Sequence, residues 1–159
     1  MTTRLPATSD LLPSDPAFDP GPDVSPMVPP VVGAARSDAR ILLAADSPVA
    51  RRFAAKLLRD RGYRVEVGLD GFDALGMVFE VKPDLLLLES RMPRLDGFQV
   101  CALVKRAPGF ADLPIVIVSD CGGLYARVRT HQAGALSFLS KPFTAGELLN
   151  AVAGALSDG

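Results

Sequence analysis

The sequence predicts an α/β fold in one domain: a doubly wound parallel β-sheet with helices on both faces. Three observations predict it. Short runs rich in apolar residues, each of strand length, recur between Arg40 and Ser140. A stretch with helical periodicity follows each run. Single helices between successive strands require parallel pairing, because each helix carries the chain back to the same sheet edge.

The elements follow in order. "RILLA" (Arg40–Ala44) has the length and apolarity of a buried strand. In "SPVARRFAAKLLRDRG", Ser47 suits the N-cap, Pro48 the first helical turn and Gly62 the stop. Ala50, Phe53, Ala54 and Leu57 share one face of that helix. "RVEVG" alternates as a second strand. "GFDALGMVFEVK" reads as a shorter helix, weakened by Gly76 and ended before Pro83. "DLLLLE" is a fully apolar central strand, and "FQVCALVKR" is the helix after its Pro/Gly turn. "PIVIVS" (Pro114–Ser119) is the fourth strand, with Pro114 at its entry. "LYARVRTHQAG" is helical and ends at Gly134. "ALSFLS" is the fifth strand. "TAGELLNAVAGAL" opens with a capping box, Thr144 and Glu147.

Residues 1–38 are of another kind. They hold eight of the 14 prolines and five aspartates against two arginines. Acidic, proline-rich sequence cannot bury enough surface to offset its ordering entropy. This segment is expected to be a disordered tail, with "SPMVPPVV" (Ser25–Val32) as a candidate docking peptide. The folded domain is expected over 39–159.

Composition excludes several classes. The formal net charge of −1 gives no global attraction to nucleic acid or anionic lipid. No apolar run approaches membrane-spanning length, and the N-terminus has no secretory h-region. Cys101 and Cys121 are spaced for neither a disulfide framework nor a zinc site, which favours a reducing cytoplasm. His131, the only histidine, is expected on the surface.

A parallel sheet of this kind binds ligands beyond the carboxyl ends of its strands. Ala45 and Asp46 follow the first strand, Glu89 ends the third, Ser119 ends the fourth and Lys141–Pro142 follows the fifth. Two carboxylates, a hydroxyl and an ammonium are thus expected at one sheet edge.

"ILLAADSPVARR", "DLLLLESRMPRLDGFQV", "PIVIVSD" and "GALSFLSKPFTAGELL" together resemble the receiver domain of two-component response regulators. The likeness covers about residues 39–157. It implies a flavodoxin-like (βα)5 fold with strand order 2-1-3-4-5. It also implies a phosphorelay site: paired acids holding Mg²⁺, an aspartate that accepts phosphoryl from a histidine kinase, and a hydroxyl and a lysine on the phosphoryl oxygens. By this resemblance Asp46 matches the second acid, Ser119 the hydroxyl, Lys141 the lysine and Phe138 the aromatic switch residue. The Lys141–Pro142 bond matches one that is cis in the family.

Two positions depart from that pattern. Ala45 stands where the first acid belongs, and Glu89 stands at the phosphoacceptor position. Glu89 carries its oxygens roughly 1.5 Å further out than aspartate would, and a misplacement of about 1 Å can cost about 100-fold in rate. Fewer hard oxygens remain at Asp46 and Glu89, so Mg²⁺ binding is expected to be weak or absent. Arg91 is a candidate cation in the metal's place, folding onto Glu89 or Asp46. Asp120 either adds negative charge at the site or pairs with Arg91. Cys121, at the site's mouth, is a redox candidate or a small loop residue.

Arg51, Arg52, Lys56, Arg59, Arg61 and Arg64 form a basic run, read as a solvated face or as a contact for an acidic protein surface. The resemblance implies a partner or homodimer face on the fourth helix, fifth strand and fifth helix, with Leu124, Tyr125, Val128 and Phe138 on it. The resemblance runs almost to Gly159, so a stand-alone module is expected. The expected function is a pseudo-receiver: a non-enzymatic bacterial signalling adaptor that works by protein–protein contact without phosphorylation, and binds neither nucleic acid nor membrane. The alternative is a single-domain response regulator that still accepts phosphoryl from a histidine kinase. Glu89 either imitates the phosphorylated state or is inert.

Overall fold

The computed structural model describes residues 38–120 and 122–158. The tail over 1–37, with its Ser25–Val32 segment, and Cys121 lie outside the described residues. The strands are β1 (Arg40–Ala44), β2 (Arg64–Gly68), β3 (Leu85–Glu89), β4 (Ile115–Ser119) and β5 (Ser137–Ser140). The helices between and after them are α1 (Pro48–Asp60), α2 (Gly71–Val81), α3 (Gly97–Arg106), α4 (Gly123–Ala133) and α5 (Ala145–Asp158). The strands form one sheet in the order β2-β1-β3-β4-β5, with every neighbouring pair parallel. This is the flavodoxin-like arrangement.

Alternation along the strands builds two apolar layers, because successive strand side chains point to opposite faces. Ile41, Leu43, Leu85, Leu87, Val116 and Val118 face α1 and α5. Leu42, Ala44, Leu86, Leu88, Ile115 and Ile117 face α2, α3 and α4. β3 and β4 are apolar up to their last residues, Glu89 and Ser119, because both of their faces are covered.

The caps fix where the helices start. Ser47 accepts from the Ala50 N–H, and Asp70 accepts from the Asp73 N–H. Thr144 and Glu147 close both arms of the expected capping box. A second box, Asp96 with Gln99, starts α3.

Two expectations are corrected. Phe53 does not belong to the buried face of α1. It is 50% exposed, while Ala54, Ala55 and Leu58 face the sheet. One residue is a 100° rotation, and alanines let the helix approach the strands closely where phenylalanine would hold it off. β5 is also shorter than "ALSFLS", because pairing with β4 begins only at Ser137. α2 ends on Lys82, which itself adopts the left-handed conformation at φ 51° ahead of the restricting Pro83.

Candidate functional site

The register brings the strand ends level: Glu89 pairs with Val118, and Ser119 with Ser140. The Lys141 N–H donates to the Ser119 carbonyl at 2.8 Å, which seats the turn after β5 against the end of β4. The Lys141–Pro142 bond is cis. From there the Lys141 ammonium donates to Glu89 Oε2 and forms an ion pair with it. The pair is largely withdrawn from water, the Glu89 side chain being 11% exposed and that of Lys141 30%. Glu89 Oε1 is buried and has no hydrogen-bond partner among the described residues. Beside it lies a cavity of about 30 Å³ whose wall includes Ala45, Val118 and Leu148, the alanine leaving space a carboxylate would fill.

The α3 end of the site is closed by backbone contact. The Gly97 N–H donates to the Ser90 carbonyl at 3.0 Å. A Cβ on Gly97 would sit 2.3 Å from the Glu89 carbonyl oxygen, so only glycine allows helix and strand to meet here.

Asp46 is exposed at the rim. The Arg51 guanidinium donates to the Asp46 carbonyl at 3.0 Å and to the Ala45 carbonyl at 2.7 Å. Sequence reasoning left Arg51 within a basic run and missed this contact. A signal was present: a cation in the first turns of a helix opposes the helix dipole, a cost that the two carbonyl partners offset. Arg91, a candidate for Glu89 or Asp46, takes the alternative partner that the sequence also offered. It pairs with Asp120 at 3.4 Å, both side chains well exposed, while Lys141 takes the Glu89 carboxylate. Ser119 is buried, and Phe138 is half-buried against the α2–α4 layer. His131 is exposed, as expected.

Mg²⁺ needs several hard oxygens in near-octahedral array. Ala45 offers no carboxylate, Glu89 is committed to Lys141, and Asp46 is left at the rim. No cluster of three His, Cys, Asp or Glu side chains able to hold a metal occurs among the described residues. These residues do not fit a resident Mg²⁺.

Leu124, Tyr125 and Val128 are exposed on α4. The Tyr125 hydroxyl accepts from Arg129 at 2.8 Å, and the Arg129 guanidinium lies 4.6 Å from the centre of the Phe98 ring on α3. A second fixed contact ties α2 to the turn after β3. There Arg94 pairs with Asp70 at 2.5 Å and lies over the Phe72 ring. No helix among the described residues is long and apolar enough to cross a membrane.

Residues 41–153 match the model of the response regulator receiver domain. Protein PilG of Pseudomonas aeruginosa is 36% identical over 113 residues, 71% of this chain and 84% of PilG. Response regulator MprA of Mycobacterium avium is 39% identical over 110 residues, but the match spans only 47% of MprA and 69% of this chain. Among solved structures, chemotaxis protein CheY4 of Vibrio cholerae superposes with a TM-score of 0.70 at 27% identity, covering 72% of this chain and 96% of CheY4. The signal receiver domain of a histidine kinase from Syntrophus aciditrophicus gives 0.70 at 28% identity, covering 76% and 91%. Receiver domains are signalling modules that engage kinases and effectors and typically bind Mg²⁺ at an acidic site. With the five-stranded parallel fold and a family match over most of its length, this chain belongs to the response regulator receiver domain family.

Proposed function

We propose that this chain is a pseudo-receiver: a receiver domain whose phosphoacceptor site has become an internal ion pair, and which signals by protein contact without phosphoryl transfer. The observation that carries the reading is the Glu89–Lys141 pair. Lys141 holds the position of the family's phosphoryl-contacting lysine, and here its charge is already matched. An incoming phosphoryl group would have to displace a buried carboxylate and bring its own counter-charge, in a site short of oxygens for Mg²⁺. Phosphoryl transfer depends on positioning and charge neutralisation, and both are diminished. The domain would act in the cytoplasm as an adaptor and not as an enzyme.

The face offered to a partner is α4, β5 and α5, with Leu124, Tyr125 and Val128 as apolar contacts and Phe138 behind them. The Arg129 clamp on Tyr125 and Phe98 favours a preorganised surface, which lowers the ordering cost of binding.

Retention of Asp46, Ser119 and Lys141 is what supports the second reading, slow phosphorylation of Glu89 itself. Intact-protein mass after incubation with acetyl phosphate and Mg²⁺ separates the two. An Ala45→Asp/Glu89→Asp variant is run in parallel. The pseudo-receiver reading expects an unmodified wild type and a variant that gains one phosphoryl group. A phosphorylated wild type overturns it. Once a partner is in hand, Glu89→Ala distinguishes imitation from inertness, since binding weakens only if the carboxylate imitates the phosphorylated state.

A further inference from the structure

Two helices on opposite faces of the sheet carry complementary surfaces that nothing in the site uses. α1 lies over one apolar layer and α2 over the other. On α1, Val49 is 70% exposed and Phe53 50%. They lie one turn apart and are therefore neighbours. Exposed Arg52 and Lys56 flank them, and the helix carries four basic residues against one acid. Among the described residues Lys56 pairs with Asp60 of its own helix, a well-exposed pair of little worth.

α2 shows the converse. Phe72 and Phe79 are about half exposed, with exposed Gly76 between them. A Cβ on Gly76 would meet nothing within 4 Å, so the helix surface is open there, while the Phe79 ring packs edge-to-face on Phe110 at 5.1 Å between centres. Exposed Asp73 and Glu80 flank the stripe, and the helix has two acids and no base. The Arg94 cation beside Phe72 is already met by Asp70.

We infer that α1 of one copy docks on α2 of a second copy, with Phe53 seated over the open Gly76 surface and Arg52 and Lys56 facing Asp73 and Glu80. A missing side chain lets two helices approach, and a projecting side chain fills the space, as in ridge-and-groove packing. The two surfaces differ and lie on opposite faces, so the contact is head-to-tail. Each added copy leaves one α1 and one α2 free, so assembly runs beyond a dimer, as a ring or an open chain according to the rotation between copies. Opposite charges steer the encounter and make it sensitive to salt.

Sedimentation velocity of the full chain over a concentration series, at low and high salt, tests this. The wild type is expected to grow beyond dimer with concentration and to revert towards monomer in salt. Phe53→Glu spoils only the α1 surface, and Gly76→Arg, at an open helix position, only the α2 surface. Each alone is expected to associate at least about tenfold more weakly. Mixed together, the two variants keep one intact surface each and form a one-to-one complex that grows no further. Arg52→Glu is the second α1 variant should Phe53→Glu not fold by circular dichroism. A wild type that stays monomeric at the highest concentration, assembly that survives both substitutions, or folded variants that do not combine would each overturn the inference.

Discussion

Replacing Lys141 by Met leaves the Glu89 carboxylate withdrawn from water with neither oxygen partnered, since Oε1 has no partner even now. Breaking a fully buried ion pair from one side costs about 3–5 kcal/mol. Here Lys141 is 30% exposed, so water reaches the vacated place and the expected cost falls to about 2 kcal/mol. Glu89→Leu should cost less, because the lysine it strands can extend to solvent and the new side chain meets the largely apolar cavity beside Ala45, Val118 and Leu148. The double variant Glu89→Leu/Lys141→Met removes both charges together and should lie within about 1 kcal/mol of wild type. Urea unfolding followed by circular dichroism reads all four proteins. With a slope near 2 kcal/mol per M, Lys141→Met should lower the midpoint by about 1 M. The reasoning fails if Lys141→Met keeps the wild-type midpoint. It also fails if the double variant loses the sum of the two single losses, because a real pair must show coupling.

Gly97→Ala places a methyl 2.3 Å from the Glu89 carbonyl, between two stretches of backbone that cannot rotate away, and should cost about 2 kcal/mol by thermal unfolding. Burial pushes the Cys101 thiol from 9.0 up to about 11, with Lys105 opposing the shift. The raised value means that its contribution to stability is full below pH 9 and is lost as pH rises towards 11. Urea midpoints across that window should fall less steeply in Cys101→Ala, and the wild-type thiol should resist alkylation in the native state. The Asp73 N–H, then the Arg94 guanidinium, hold the Asp70 carboxyl below the usual carboxylate range. Asp70 therefore supports the fold above that range, and its contribution fades as pH falls from that range through its own lowered pKa. Arg94→Ala should move the Asp70 carboxyl resonance towards ordinary titration in an NMR pH series.

The sheet was legible because each strand is a short, largely apolar segment and the caps are chemically explicit. Ser47, Thr144 and Glu147 say where α1 and α5 begin. The strand-end cluster was legible for a related reason: in a parallel sheet, position after a strand is nearly position in space. What failed was direction. Phe53 and Ala54 are adjacent, and periodicity alone could not say which of two overlapping stripes faced inward. The outcome depended on how closely α1 approaches the strands. Long side chains failed in the same way. Arg51, Arg91 and Lys141 all reach the strand-end region, and which carboxylate or carbonyl each one meets depends on loop paths, not on spacing. Asp120 could be named as a partner for Arg91, yet nothing in the sequence ranked it above Glu89.

The order of the strands also bears on how the chain folds. Pairing β1 with β2 closes a shorter loop, Arg40 to Arg64, than pairing β1 with β3, Ile41 to Leu85, and so costs less chain entropy. β4 and β5 lie on one side of β3 in chain order. Glu89 and Lys141 are 52 residues apart, and they meet only after β5 has docked. Throughout synthesis and early folding the carboxylate is therefore uncompensated, at the end of a strand whose other residues are ready for burial. A charge held at that point discourages β3 from pairing with the wrong strand or with another chain before β4 arrives. The ion pair thus requires the chain to be complete through β5 and its following turn.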